Sequence, residues 1–302
     1  MRKAPALAVS MAALVFASQA LAAPAPVGPA ASSIRMGGST IVALRDMLNV
    51  VPNDGSVFGK EVGAGKVGKA LSDAHAPTDR ITLGVDALLV RQPARNVLID
   101  TGLGPKIGGA LMASLAEAGL KPEAINDVLI THSHGDHVGG LRTAAGDLAF
   151  PNATIHMSAP EWAWMQEKGD RALVAAISSK VRTFRPGDTV LPNIVSVDTP
   201  GHTPGHVGYQ IGSGKSRLID IGDLAHSTIV SLSHPEWIIG YDTDGVEGRG
   251  RRETWLARLA ASGERVFSPH FPFPGVGRIV KHGAAYASVS YTHLTLPTNR
   301  EV

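Results

Sequence analysis

The segment 131–141, THSHGDHVGGL, sets three histidines and one aspartate within six residues, directly behind the apolar run Val128-Leu129-Ile130. A short apolar run of this kind reads as a buried strand, so ligand-type side chains stand where that strand ends. In extended chain, residues i and i+2 point to one side, which lets His132 and His134 reach a single ion. A turn at Gly135 lets Asp136 and His137 face a second ion. Imidazole suits zinc, iron, nickel or copper, and carboxylate adds charge. Gly139 and Gly140 permit close approach of another backbone. The plain alternative is a polar surface loop, but such a loop has no reason to follow an apolar strand with this density of ligand types.

Working outward, other strands end the same way. Thr199-Pro200-Gly201-His202-Thr203-Pro204-Gly205-His206 leads into the apolar stretch from Val207. Leu218-Ile219-Asp220-Ile221-Gly222-Asp223 closes on an aspartate, Phe267-Ser268-Pro269-His270 on a histidine, and Val97-Leu98-Ile99 runs into Asp100-Thr101-Gly102. Strands ending in metal-ligand residues are what a site at one edge of a sheet requires. Between them, Ile107–Ala118, Ala159–Glu167, Arg171–Ser179 and Arg252–Ala261 have helical spacing, so buried strands alternate with helices and predict a layered α/β architecture. Thr40–Leu48 and Leu83–Val90 read as further strands. Residues 51–79, rich in Gly, Asp, Pro and Lys, read as a long surface excursion.

The H-x-H-x-D-H element, GHTPGH, Asp223, His270 and the Asp100-Thr101-Gly102 turn together resemble the metallo-β-lactamase superfamily, from about Thr40 to Tyr286. The resemblance implies an α/β fold of the four-layer αβ/βα sandwich type, with the site in a groove at the edges of two sheets. It implies two divalent ions, zinc above all, with iron, manganese or cobalt as substitutes. His132, His134 and His206 would hold one ion, Asp136, His137 and His270 the other, with Asp223 bridging. Asp136 and Asp223 would be the catalytic carboxylates. His202 would orient its loop without binding metal, and Asp100 would accept a hydrogen bond from a ligand imidazole. The implied chemistry is attack on an ester, lactone or phosphotriester by a hydroxide shared between the ions. Asp223 as the bridge, and the lack of any cysteine for a thiolate position, look like hydrolases of esters, lactones and phosphotriesters rather than β-lactam enzymes. The leader, the THSHGDHVGGL stretch, Ala149-Phe150-Pro151-Asn152-Ala153 and the segment from Pro269-His270 to Gly277 are most similar to methyl parathion hydrolase-like and quorum-quenching lactonase-like members. A β-lactamase or thioesterase-type hydrolase on the same site is the alternative, and a periplasmic di-iron redox or metal-binding protein a more distant one.

Composition sets bounds on the rest. In 302 residues the charge is +2 with His neutral, hydrophobic residues are 44%, and cysteine is absent. There is no strong field to draw nucleic acid, and disulfides and thiolate ligands are excluded. Arg2 and Lys3, the apolar Ala4–Phe16 and Ala20-Leu21-Ala22 read as a signal peptide over 1–22, which implies a periplasmic or secreted protein without stable membrane insertion. Residues 23–38 read as a flexible leader, 39–289 as one hydrolase domain, and 290–302 (SYTHLTLPTNREV) as an atypical tail, non-native in appearance, which would leave a closing strand missing. The partner is a small-molecule substrate, with a homodimer left open. Phe271, Phe273 and Trp162, with Trp164 behind them, are the candidate pocket aromatics. His226 and His234 are expected in solvent, and His75, His156 and His282 are read as structural or surface residues.

Overall fold

Alternation of apolar side chains along the strands fixes the layering in this computed structural model, which describes residues 23–291. The expected signal peptide and the tail from 292 onward, with His293, lie outside the described residues. The first sheet holds β1 (Ala23–Ala25), β2 (Ala31–Met36), β3 (Ser39–Pro52), β4 (Arg80–Gln92), β5 (Arg95–Ile99), β6 (Asp127–Leu129), β7 (Thr154–Ser158) and β8 (Val181–Phe184). Its order is β1-β3-β4-β5-β6-β7-β8, with β2 also paired to β3. The second sheet holds β9 (Thr189–Leu191), β10 (Ile194–Asp198), β11 (Val207–Ser213), β12 (Ser216–Asp220), β13 (Arg265–Phe267), β14 (Val276–His282) and β15 (Ala285–Ser290), in the order β15 through β9.

Along β3 and β4, Ile41, Ala43, Leu88 and Val90 face the second sheet and pack with Ile194, Val207, Tyr209, Leu218 and Phe267. Their neighbours Val42, Leu44, Ala87 and Leu89 face the other way, onto residues of the helices α2 (Leu111–Glu117), α4 (Ala159–Lys168) and α5 (Arg171–Ile177). The outer face of the second sheet, through Ile219, Val266 and Ile279, packs on Leu256 and Leu259 of α7 (Gly245–Ser262). The period-2 side-chain alternation of strands thus yields helices, sheet, sheet, helix: the four-layer αβ/βα sandwich. Two shorter helices are α3 (Gly135–Val138), at the site, and α6 (Val230–Ser233), which packs against β15 and α1 (Ala64–Asp73), the helix that precedes β4. Among the described residues no helix is long and apolar enough to cross a membrane.

Three expectations change. Residues 23–38 are not a free leader: β1 and β2 add to the edge of β3, Ala31 opposite Leu44 and Ala23 opposite Val50, and Met36 is buried. Small Ala and Ser side chains do not prevent a backbone from pairing with an open edge. The 51–79 excursion carries α1, whose Val67 and Leu71 are buried against Phe58, Ile81 and Trp237. Ser290, expected to open the atypical tail, instead ends strand β15, opposite Gly277 of β14. Strands β8, β9 and β14 lack a distinctive apolar run, being short or polar on one face.

Candidate metal centre

The ligand-bearing segments meet at one edge because they follow β5, β6, β12 and β13 and precede the antiparallel β11. After β6 the chain extends through His132 and His134, then turns into α3, placing Asp136 and His137 in its first turn. The close approach expected of the glycines is real: a Cβ on Gly140 would lie 2.0 Å from the Thr101 carbonyl oxygen.

Asp223 stands at the centre, 3% exposed. Its Oδ1 lies 3.2 Å from His137 Nε2, and its Oδ2 3.1 Å from His270 Nε2, 3.2 Å from His202 Nε2 and 3.6 Å from His132 Nε2. Ligand atoms of His132, His134 and His202 lie within 4.8 Å of one another, as do those of Asp136, His137 and His270. The outward nitrogens are held: His137 Nδ1 by Asp100 Oδ2 at 2.8 Å, His270 Nδ1 by the Gly84 carbonyl at 2.7 Å, His202 Nδ1 by Asp242 Oδ1 at 2.9 Å. This fixes each ring so that Nε2 points inward. The inward set contains buried polar atoms without hydrogen-bond partners, among them His137 Nε2 and Asp223 Oδ1. Buried polar atoms are ordinarily satisfied, so the donor set fits a pair of cations.

The geometry exchanges the roles expected of the two histidines in GHTPGH. His206 accepts from the Asp223 amide through Nε2 at 3.0 Å, and its Nδ1 lies 2.8 Å from the Thr199 carbonyl. Both nitrogens are engaged, so His206 offers no lone pair and is a structural brace. His202 takes the inward place, its Nε2 2.9 Å from His134 Nδ1. Asp100, beside its contact with His137, also accepts through Oδ1 and Oδ2 from the Thr131 amide and hydroxyl at 2.8 and 2.7 Å.

Charge follows from burial and neighbours. Burial raises the Asp223 carboxyl, but the surrounding His270, His137 and His132 overcome it and hold it well below its ordinary value. Burial, with the neighbouring His202, lowers His134 to about 4 and His206 to about 3. Burial lowers His202 too, yet Asp223 and Asp242 outweigh it and raise it to about 9.

A pocket of about 400 Å³ opens over this centre, with Asp136, His134, His202, Asp223 and His270 at the base and Pro24, Leu83, Leu103 and Tyr241 among its walls. The expected pocket aromatics are elsewhere. Phe271 is buried beside Leu256 and Ile279, Phe273 lies under the Arg45 guanidinium, and Trp162 packs on the helix-side core. Trp164 meets His134 edge-on at 5.8 Å. His226 is not in solvent: it is 1% exposed, lines the pocket, stacks on His270 at 5.0 Å, and brings Nε2 to 3.1 Å from Asp223 Oδ2. Its place three residues after Asp223, across the single turn Gly222–Leu224, was the available signal. Asp242 and the buried Arg252 behind it, 3.6 Å apart, left none. His156 pairs with Asp127 at 2.8 Å, consistent with a structural part.

Residues 80–270 match the family model of the metallo-β-lactamase superfamily. The chain belongs to that superfamily. A solved structure of AidC, described as a dizinc quorum-quenching lactonase with a product bound, shares 27% identity, with a TM-score of 0.81 over 88% of this chain and 99% of that one. The hydrolase AbOPH, placed in the β-lactamase superfamily, shares 28% identity with a TM-score of 0.79 over 87% and 97%. An N-acyl homoserine lactonase of Bacillus cereus is 25% identical over 198 residues, 58% of this chain and 77% of that protein. The uncharacterized protein YobT of Bacillus subtilis (strain 168) is 30% identical over 138 residues, so this chain spans 56% of its length. The chain accordingly shares the fold and family of these proteins, with lactonases among its neighbours.

Proposed function

We propose that this chain is a two-metal hydrolase of carboxylic or phosphoric esters, with lactones as its foremost substrate class. His132, His134 and His202 would hold one ion, Asp136, His137 and His270 the other, and Asp223 would stand between them. Zinc is the first candidate, given the imidazole-rich set and the dizinc neighbour AidC. When bound, the ions supply a hydroxide at neutral pH and polarise the substrate oxygen.

The observation carrying this reading is Asp223, which presents one oxygen to His137 and the other to His202 and His270. The chain's own residues complete the chemistry. Asp136, 22% exposed at the pocket base, can carry a proton toward a leaving alkoxide. His226, lowered by burial and so neutral, can donate a hydrogen bond to a substrate oxygen. Leu83, Leu103 and Tyr241 supply an apolar wall for an acyl or alkyl arm. Export to the periplasm remains part of the proposal, resting on the composition of residues 1–22 and the absence of cysteine.

The test joins metal analysis of the purified protein to a hydrolysis panel of lactones, phosphotriesters, aryl esters and β-lactams. Two zinc ions per chain and lactone turnover abolished by chelation are expected. A chain that holds no metal, or opens β-lactams while ignoring lactones, would overturn the reading. N-terminal sequencing of the exported protein checks cleavage after Ala22.

A further inference from the structure

Glu161 is a fully buried carboxylate that the chemistry above does not use. It lies in the first turn of α4, whose N-cap Ser158 accepts from its amide at 3.2 Å. Its Oε1 accepts from the Ser133 amide at 2.7 Å and the Ser133 hydroxyl at 2.6 Å. Its Oε2 accepts from the Thr203 hydroxyl at 2.5 Å and the Gly205 amide at 3.2 Å. A carboxylate has about four acceptor positions, and four donors fill them. Ser133 separates His132 from His134, and Thr203 follows His202. The Ser158 hydroxyl donates to the Gly205 carbonyl at 2.6 Å, and a Cβ on Gly205 would lie 2.0 Å from the Glu161 nitrogen, so the GHTPGH loop rests directly on the start of α4.

We propose that Glu161 is the positioning residue that sets the first metal site, by clamping the His132–His134 segment and the His202 loop to one carboxylate. These two segments come from different sheets and are 68 residues apart at His134 and His202. Without a shared anchor, the spacing of the three imidazoles would follow the relative motion of two loops. The clamp fixes it before an ion arrives, and it explains why the residues between and beside the histidines carry hydroxyls.

The proposal rests on the metal reading for its consequence but not for its geometry, so the test has two arms. In zinc titrations, Glu161→Gln places an amide N–H₂ against donors on one side and should weaken binding at the first site by about 10–100-fold, the range for lost outer partners of metal ligands. Ser133→Ala and Thr203→Val should each weaken it several-fold, and together by less than the product, since either change already frees one loop. Effects that multiply would overturn the clamp. In the metal-free protein, Glu161→Ala should speed amide exchange at both Ser133 and Gly205 relative to Leu129 in β6. Acceleration at one amide alone, or at neither, would overturn it too. Wild-type protein that takes up no zinc would sink the two-metal reading, and the exchange experiment would then decide the clamp by itself.

Discussion

Replacing each histidine of GHTPGH by glutamine separates brace from ligand. Glutamine at 206 keeps an acceptor for the Asp223 amide and a donor for the Thr199 carbonyl, the two bonds that His206 makes at 3.0 and 2.8 Å. His206→Gln should therefore retain both zinc ions and most activity. His206→Ala leaves those two buried groups unmet, at about 1–3 kcal/mol each, and adds a cavity term of about 1–2 kcal/mol. The sum, roughly 3–8 kcal/mol, is a large part of the ~5–15 kcal/mol that holds a domain folded, and at about 2–4 °C per kcal/mol it lowers the melting temperature by roughly 6–30 °C. His202→Gln removes an inward imidazole, so the first ion should be lost at zinc concentrations that saturate the wild type. Thermal melts of the metal-free proteins and elemental analysis after dialysis are the assays. A His206→Gln protein that has lost one ion, beside a His202→Gln protein that keeps two, would refute the exchange of roles.

Asp242→Asn keeps the size of the group that holds His202 Nδ1 at 2.9 Å but removes its charge, and should cost about 10–100-fold in zinc affinity, read by competition with a chromogenic chelator. Arg252→Met removes a buried guanidinium that donates to the Pro235 and Trp237 carbonyls at 2.9 and 2.5 Å; urea denaturation should show a loss of about 3–5 kcal/mol. In the metal-free site the Asp223 and Asp242 carboxylates, outweighing burial, hold His202 near 9, so zinc must displace a proton there at neutral pH. Affinity should accordingly fall as pH drops below about 9, and the calorimetric enthalpy of zinc binding should change with the ionisation heat of the buffer; an enthalpy independent of buffer would contradict this.

The layered fold was legible because the apolar runs in β3, β4 and β12 and the strand-end Asp and His residues are local signals. His132, His134, Asp136, His137, Asp223 and His270 were legible for the same reason. The choice between His202 and His206 was not, since two histidines four residues apart in one Gly/Pro loop have equal claims. What decides it is Asp242, just ahead of α7, and the Asp223 amide, both remote in sequence. The pocket walls were misjudged on residue type: large aromatics such as Phe271 are more often core than lining, and the wall is made by Leu83, Leu103 and the N-terminal Pro24. Asp46, which holds the Leu103 and Leu111 amides at 2.7 and 2.9 Å and so anchors that wall, stands alone in its sequence neighbourhood and gave no cue.

Strand β1 joins β3 at the mouth of the pocket, with Pro24 opposite Asn49 and both lining the opening. Chain that leads into β1 at Ala23 therefore meets the molecule beside this pocket, while β15 is the end strand of the other sheet. Kinetic constants taken with an amino-terminal handle report the handle as well as the enzyme.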